Sequence, residues 1–265
     1  MPISSTPGRT RTTTERRART HALAGGLLYL LTFASSFPAA ALLRSMLDDP
    51  GFVLGRSSSA SVLAACALDL VNALAAIGTA VALYPVIRRW TPTSAIGFVT
   101  SRSFEAAVIS IGVMSLLGVV TLRSEVGAAT DPDTLVTVAR SMVAVRDWTF
   151  LIGPGLMASF NAVLLGTALY RSRLVPRAIP VLGLVGAPML LLNTAATFLN
   201  GNEAVLPWAV LGVAPIFLWE LSLGLWLTFK GFSRPLSGLD PIEPLAAPAP
   251  APVPPIRRDS AVGVA

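Results

Sequence analysis

Apolar residues run in six long blocks, about 22–43, 62–87, 96–122, 148–170, 178–199 and 207–229, separated by segments rich in Arg, Ser and Pro. Each block exceeds the ~20 residues that cross roughly 30 Å of hydrocarbon at about 1.5 Å per residue. None alternates with the two-residue period of a strand, and backbone groups in lipid must pair within their own segment. The pattern therefore predicts helices. An all-α, polytopic membrane protein follows, with a six-transmembrane-helix bundle over residues 21–232. Both flanks differ in kind. Residues 1–20 are polar, Ser/Thr-rich and basic, and 233–265 is a Pro/Ala tract that includes Pro241, Pro244, Pro248 and Pro250. Neither can bury a core, so both are expected to be disordered.

The longest connection between blocks, 123–147, carries its own pattern. Asp131-Pro132-Asp133 is a helix start, and Leu135, Val138, Met142 and Val145 recur at roughly helical spacing. A short amphipathic helix on the outer face is expected there. Pro38, Pro154, Pro188 and Pro215 interrupt four of the spans, and each removes an intrahelical hydrogen bond. Their positions do not repeat between the two halves of the chain, so they give no sign of an inverted repeat.

Charge sets the orientation. Arg9, Arg11, Arg16, Arg17, Arg19, Arg88, Arg89, Arg171, Arg173, Arg177, Lys230, Arg234, Arg257 and Arg258 fall on one side by alternation, fourteen in all. Arg44, Arg56, Arg123, Arg140 and Arg146 fall on the other. The positive-inside rule then places the N and C termini in the cytoplasm, in a bacterial cell membrane. The run Leu23–Leu31 followed by Ala39-Ala40-Ala41 also fits a signal peptide. Cleavage would leave five spans and put the Arg-poor loops on the wrong side.

Composition agrees with a membrane setting: 53% of residues are hydrophobic and 13% charged, about half the charged share of a soluble domain. The net charge of +6 does not point to nucleic acid, because the basic residues punctuate apolar spans and build no face. The lipid bilayer is the partner that remains. His21 and Cys66 are the only residues of their types, so a His- or Cys-based metal centre, bis-histidine haem and an intrachain disulfide are excluded. No Gly-rich phosphate loop, His-Glu-x-x-His or Gly-x-Ser-x-Gly occurs. No catalytic residue and no cofactor is assigned, and enzymatic function is disfavoured.

Four charged residues remain inside the six spans: Asp69, Arg102, Glu105 and Glu220. An ionised group in hydrocarbon needs a partner, a proton or a task. Arg102 and Glu105 are three apart, hence on one helical face, roughly 9 and 13 Å from the cytoplasmic end. Glu220 and Asn161 fall near the same level, so these four are expected to meet as an intramembrane polar network. Asp69 and Asn72, also three apart, lie in the outer half of the second span, and Asn193 reaches a similar level. They form an expected second cluster with nothing basic among the spans beside it. Should both clusters line one water-filled cavity, the excess of carboxylates would attract cations.

Leu-Tyr-Pro-Val-Ile-Arg-Arg (83–89), Ser-Arg-Ser-Phe-Glu-Ala (101–106), Tyr-Arg-Ser-Arg-Leu-Val-Pro-Arg (170–177) and Leu-Trp-Glu-Leu-Ser-Leu-Gly-Leu-Trp-Leu (218–227) occur in this order. Together they resemble the bacterial multi-pass membrane family called domain of unknown function 4386, over about 20–232. The resemblance implies a multi-pass bacterial membrane protein whose family pattern includes Arg102, Glu105 and Glu220, and it implies no activity. Three functions are carried forward. A structural or regulatory membrane component stands first, because loops are short and no reaction chemistry is visible. A transporter of a small solute, proton or cation, using the intramembrane carboxylates, stands second. A membrane-embedded lipid-modifying enzyme stands third. A packed core with Arg102 enclosed by both Glu residues favours the first, a cavity joining Asp69 to Glu220 the second, and a lateral groove beside Glu220 the third.

Overall fold

A computed structural model describes residues 7–47, 49, 51–55, 58–125, 131–200 and 208–233. The described residues form helices α1 (Pro7–Leu47), α2 (Ala60–Ile87), α3 (Pro92–Glu125), α4 (Pro132–Phe150), α5 (Ala158–Ser172), α6 (Ala178–Leu199) and α7 (Trp208–Phe229). A single 3-10 turn, Phe52–Leu54, follows α1. Between α4 and α5 the chain stays helical as a π stretch, Leu151–Met157. Six helical rods are therefore long and apolar enough to cross a membrane. The tail 234–265 and residues 1–6 lie outside the described residues.

Two elements differ from the sequence expectation. Helix α1 begins at Pro7, inside the segment expected to be disordered. Proline is preorganised for a first helical turn, and after Gly8 no glycine or further proline intervenes before Gly25. The amphipathic helix expected over the outer loop does start at Asp131, whose side chain accepts from the Thr134 amide at 3.0 Å and its hydroxyl at 2.7 Å. Those bonds hold the Asp131 carboxyl below the usual carboxylate range. That helix is no separate cap, however. It runs on through the π stretch into α5 as one rod, Pro132–Ser172. Nothing between Asp131 and Gly153 can stop it, and Pro154, lacking an N–H, sits where the turn widens to the π form.

Each rod packs on its sequence neighbours, and α7 returns against α1, so the six close into a ring with α3 leaning across to α5. Arg19 ties this closure at one end, donating to the Leu227 and Thr228 carbonyls at 3.0 and 2.7 Å. Small residues permit the closest approaches, as membrane helices require. A Cβ added to Gly26 of α1 would lie 2.6 Å from the Thr228 amide nitrogen of α7. The outer surface is apolar all round, with Leu74, Met114, Leu192 and Phe229 among the exposed side chains. In water such a surface would aggregate; against lipid tails it is the expected surface.

The interior holds two apolar cores. One gathers Tyr29, Leu83, Phe98, Leu165, Trp219 and Leu223 from α1–α3 and α5–α7. The other gathers Leu43, Phe52, Val62, Ala106, Leu116 and Leu135 from α1–α4 and the 3-10 turn, with no side chain from α6 or α7. Along α1 and α3 the two cores are separated by the stretches that carry Ser36 and the pair Arg102 and Glu105, while Asp69 and Asn72 of α2 stand among residues of the second core. All five polar residues line one cavity.

Candidate functional site: an intramembrane cavity

Arg102 and Glu105 share one face of α3, as their spacing of three dictates. Arg102 Nη1 donates to Glu105 Oε2 at 3.1 Å, and its Nη2 to Glu220 Oε1 of α7 at 2.7 Å. Asn161 of α5 donates its amide to Glu105 Oε2 at 2.7 Å. Arg102, Glu105 and Asn161 are only 3%, 5% and 2% exposed. The guanidinium also lies over the rings of Tyr29 and Phe98, 5.2 and 5.7 Å from their centres. All four residues placed at one depth by counting are thus brought together, and they tie α3 to α5 and α7. Gly153 contributes by its smallness: a Cβ there would sit 3.3 Å from Val108 and 3.6 Å from the Glu105 carbonyl. The π stretch can therefore lie directly on the turn of α3 that presents Glu105.

The network forms part of the wall of a cavity of about 330 Å³. Asp69, Asn72, Arg102, Glu105, Glu220 and Arg146 all line it, together with Ser36 and the segment Pro154–Gly155. The two expected clusters are therefore one site, with Asp69 and Glu220 at the same cavity. Asn193 departs from it. It lies on α6 against α7, where a Cβ on Gly212 would meet its Cβ at 2.6 Å, and its Oδ1 has no hydrogen-bond partner. The reason is azimuth rather than depth, since α2 packs on α1 and α3 while α6 packs on α5 and α7.

Arg146 corrects a second expectation. Its place in α4 puts it on the cavity wall and not in an outer loop, so a basic group does face Asp69. Arg146 bonds Asp147 at 3.3 Å and lies 4.7 Å from the centre of the Phe150 ring. The carboxylate excess among the cavity's charges falls accordingly, to three carboxylates against two guanidinium groups. Asp69 itself is half-buried and makes no hydrogen bond or ion pair among the described residues; Arg146 acts on it only through space.

Sequence reasoning also missed an aromatic wall. Phe33 and Phe37 of α1 and Phe217 of α7 pack together, the Phe33–Phe217 and Phe37–Phe217 centres 5.3 and 5.9 Å apart and edge-to-face. All three line the cavity. The signal was present in the spacing: Phe33 and Phe37 are four apart, and Phe217 is three before Glu220, hence on its face. Among the described residues no group of His, Cys, Asp and Glu is arranged to hold a metal ion, and Cys66 is buried and free.

Comparison with known proteins adds a family. The family model described as domain of unknown function (DUF4386) matches residues 24–231. No curated protein and no solved structure matches the chain. With most of its length matched, the chain belongs to the DUF4386 family, and its six apolar rods make it a multi-pass membrane protein.

Proposed function

We propose that this protein binds a small solute inside the bilayer, in the cavity shared by Asp69 and Glu220, and acts as its carrier. The observation that carries this reading is the unpartnered state of Asp69. A carboxylate held in a membrane protein without hydrogen bond or ion pair is costly, and packing gives no return for it. The Arg102–Glu105–Glu220–Asn161 network is different, because its members pair with one another and join three helices, leaving only Arg102 Nε and Asn161 Oδ1 buried without a partner among the described residues. A clasp accounts for their ion pairs. The structural-component reading therefore fits the network, and the solute-binding reading fits the cavity that the network walls. The cavity's size lies at the lower end of small-molecule sites, about 300–1,000 Å³. The π stretch at its wall supports the same reading, since such bulges recur at functional sites.

We also infer that both termini lie in the cytoplasm of a bacterial cell, on the arginine asymmetry of the connecting segments. With Arg146 on the cavity wall, four basic residues remain on the outer side, Arg44, Arg56, Arg123 and Arg140, and the asymmetry grows.

A thermal-unfolding screen of the detergent-solubilised full chain against water-soluble metabolites tests the binding reading. A ligand at a hundred times its Kd stabilises by about 2.7 kcal/mol, so at least one compound should raise the unfolding midpoint by several degrees. Asp69→Ala should fold normally and lose that shift. A screen in which every compound shifts both proteins equally, or none shifts either, contradicts the proposal.

A further inference from the structure

The charges on the cavity wall are unequally engaged. Both terminal nitrogens of Arg102 are taken by Glu105 and Glu220, and Arg146 has Asp147 beside it and Phe150 beneath it. Among the described residues, Asp69 alone of the cavity's ionisable groups makes no hydrogen bond or ion pair. We propose that the solute is a small organic ammonium ion, its charged nitrogen at Asp69 and its apolar body against Phe33, Phe37 and Phe217. This identification rests on the solute-binding reading above and names its ligand class.

Three comparisons select that class. An anionic solute would meet three carboxylates and two guanidinium groups that already have acidic neighbours. A neutral solute would leave the Asp69 charge with no direct partner, Arg146 alone acting on it through space. A bare inorganic cation would have to exchange its water for about six oxygen ligands. Besides Asp69 the cavity wall carries the side chains of Asn72 and Ser36; the Thr32 and Thr149 hydroxyls are turned to backbone carbonyls, Glu105 and Glu220 are engaged by Arg102, and much of the remaining wall is aliphatic or aromatic. An ammonium group, by contrast, has three N–H donors or fewer. Asp69, the Asn72 carbonyl oxygen and the Ser36 hydroxyl, none of which makes a hydrogen bond within the protein, supply acceptors of the right number. Phe217 sits on the same face of α7 as Glu220 and packs edge-to-face with both phenylalanines of α1. The aromatic wall therefore adjoins Glu220 and shares the cavity with Asp69, and rings and carboxylates together hold organic cations.

Three near-isosteric probes decide the matter by calorimetric titration of the full chain in detergent: 2-phenylethylammonium, 2-phenylethanol and phenylacetate. The ammonium should bind at least tenfold more tightly than the alcohol, and phenylacetate most weakly. Asp69→Asn, which keeps the side-chain shape, should cut the ammonium affinity at least tenfold and leave the alcohol unchanged. Phe217→Ala should weaken the ammonium and the alcohol alike. Tighter binding of phenylacetate or 2-phenylethanol than of the ammonium in the wild-type chain overturns the ligand class while the cavity reading stands. An ammonium affinity untouched by Asp69→Asn does the same. Absence of binding by all three overturns the ligand class and weighs against the cavity reading with it.

Discussion

Arg102→Ala is expected to destabilise the bundle by about 3–5 kcal/mol, because it leaves the buried Glu105 and the partly buried Glu220 on facing helices with no counter-ion. The Arg102 side chain is held between the two carboxylates and two aromatic rings. Equilibrium unfolding in mixed detergent micelles, followed by circular dichroism, measures the loss. The matching test removes the charges together. Arg102→Met combined with Glu105→Gln and Glu220→Gln should recover most of the stability, since replacing a whole buried ion cluster by neutral groups of similar volume is often close to neutral. A single variant as stable as the wild type would mean that the network does not hold α3 to α7.

The second large effect is steric. Gly26→Val should cost about 3 kcal/mol, the upper end of overpacking penalties, because its Cβ would overlap the Thr228 amide nitrogen at 2.6 Å and the Gly224 carbonyl at 2.9 Å. Backbone cannot rotate away as a side chain can, so α1 and α7 must part. That displacement would also separate Phe33 and Phe37 from Phe217, coupling helix packing to the cavity wall. Gly78→Ala is the control. Its Cβ would touch only the tip of Leu28 at 3.1 Å, and it should cost less than about 1 kcal/mol. Equal unfolding midpoints for the two variants would contradict the close α1–α7 approach.

Depth in the membrane was legible in the sequence and azimuth was not. Counting along each span places Arg102, Glu105, Glu220 and Asn161 at one level, and the structure brings all four together. The same counting puts Asn193 level with Asp69, yet nothing in a single chain's spacing says that α2 and α6 are not neighbours in the ring. Arg146 was hidden by a boundary drawn where hydropathy changes, near Trp148. A helix has no reason to end there, because Ala, Val and Arg continue it as readily as Leu. The Asp131 cap was legible, and so was Pro154; that the proline widens one turn without ending the rod was not. The segment from Pro7 to Thr20 shows the converse error, since polarity was read as disorder although its residues are compatible with helix. The aromatic wall was overlooked for a simpler reason. Three phenylalanines among many apolar residues carry no signal until Glu220 identifies which face of α7 points inward.

The central claim is that Asp69 and Asn72 face a cavity that polar solutes reach. Cysteine labelling tests it most directly, because Cys66 is the chain's only cysteine and is buried. In a Cys66→Ala background, Asn72→Cys should react with the water-borne reagent trimethylammonium-ethyl methanethiosulfonate. Leu74→Cys, two residues along the same helix at a position 69% exposed on the apolar outer surface, should stay unreacted in lipid vesicles, where thiols form little of the reactive thiolate. Labelling of Asn72→Cys alone, slowed by 2-phenylethylammonium, is the predicted result. An Asn72→Cys as inert as Leu74→Cys would contradict the account.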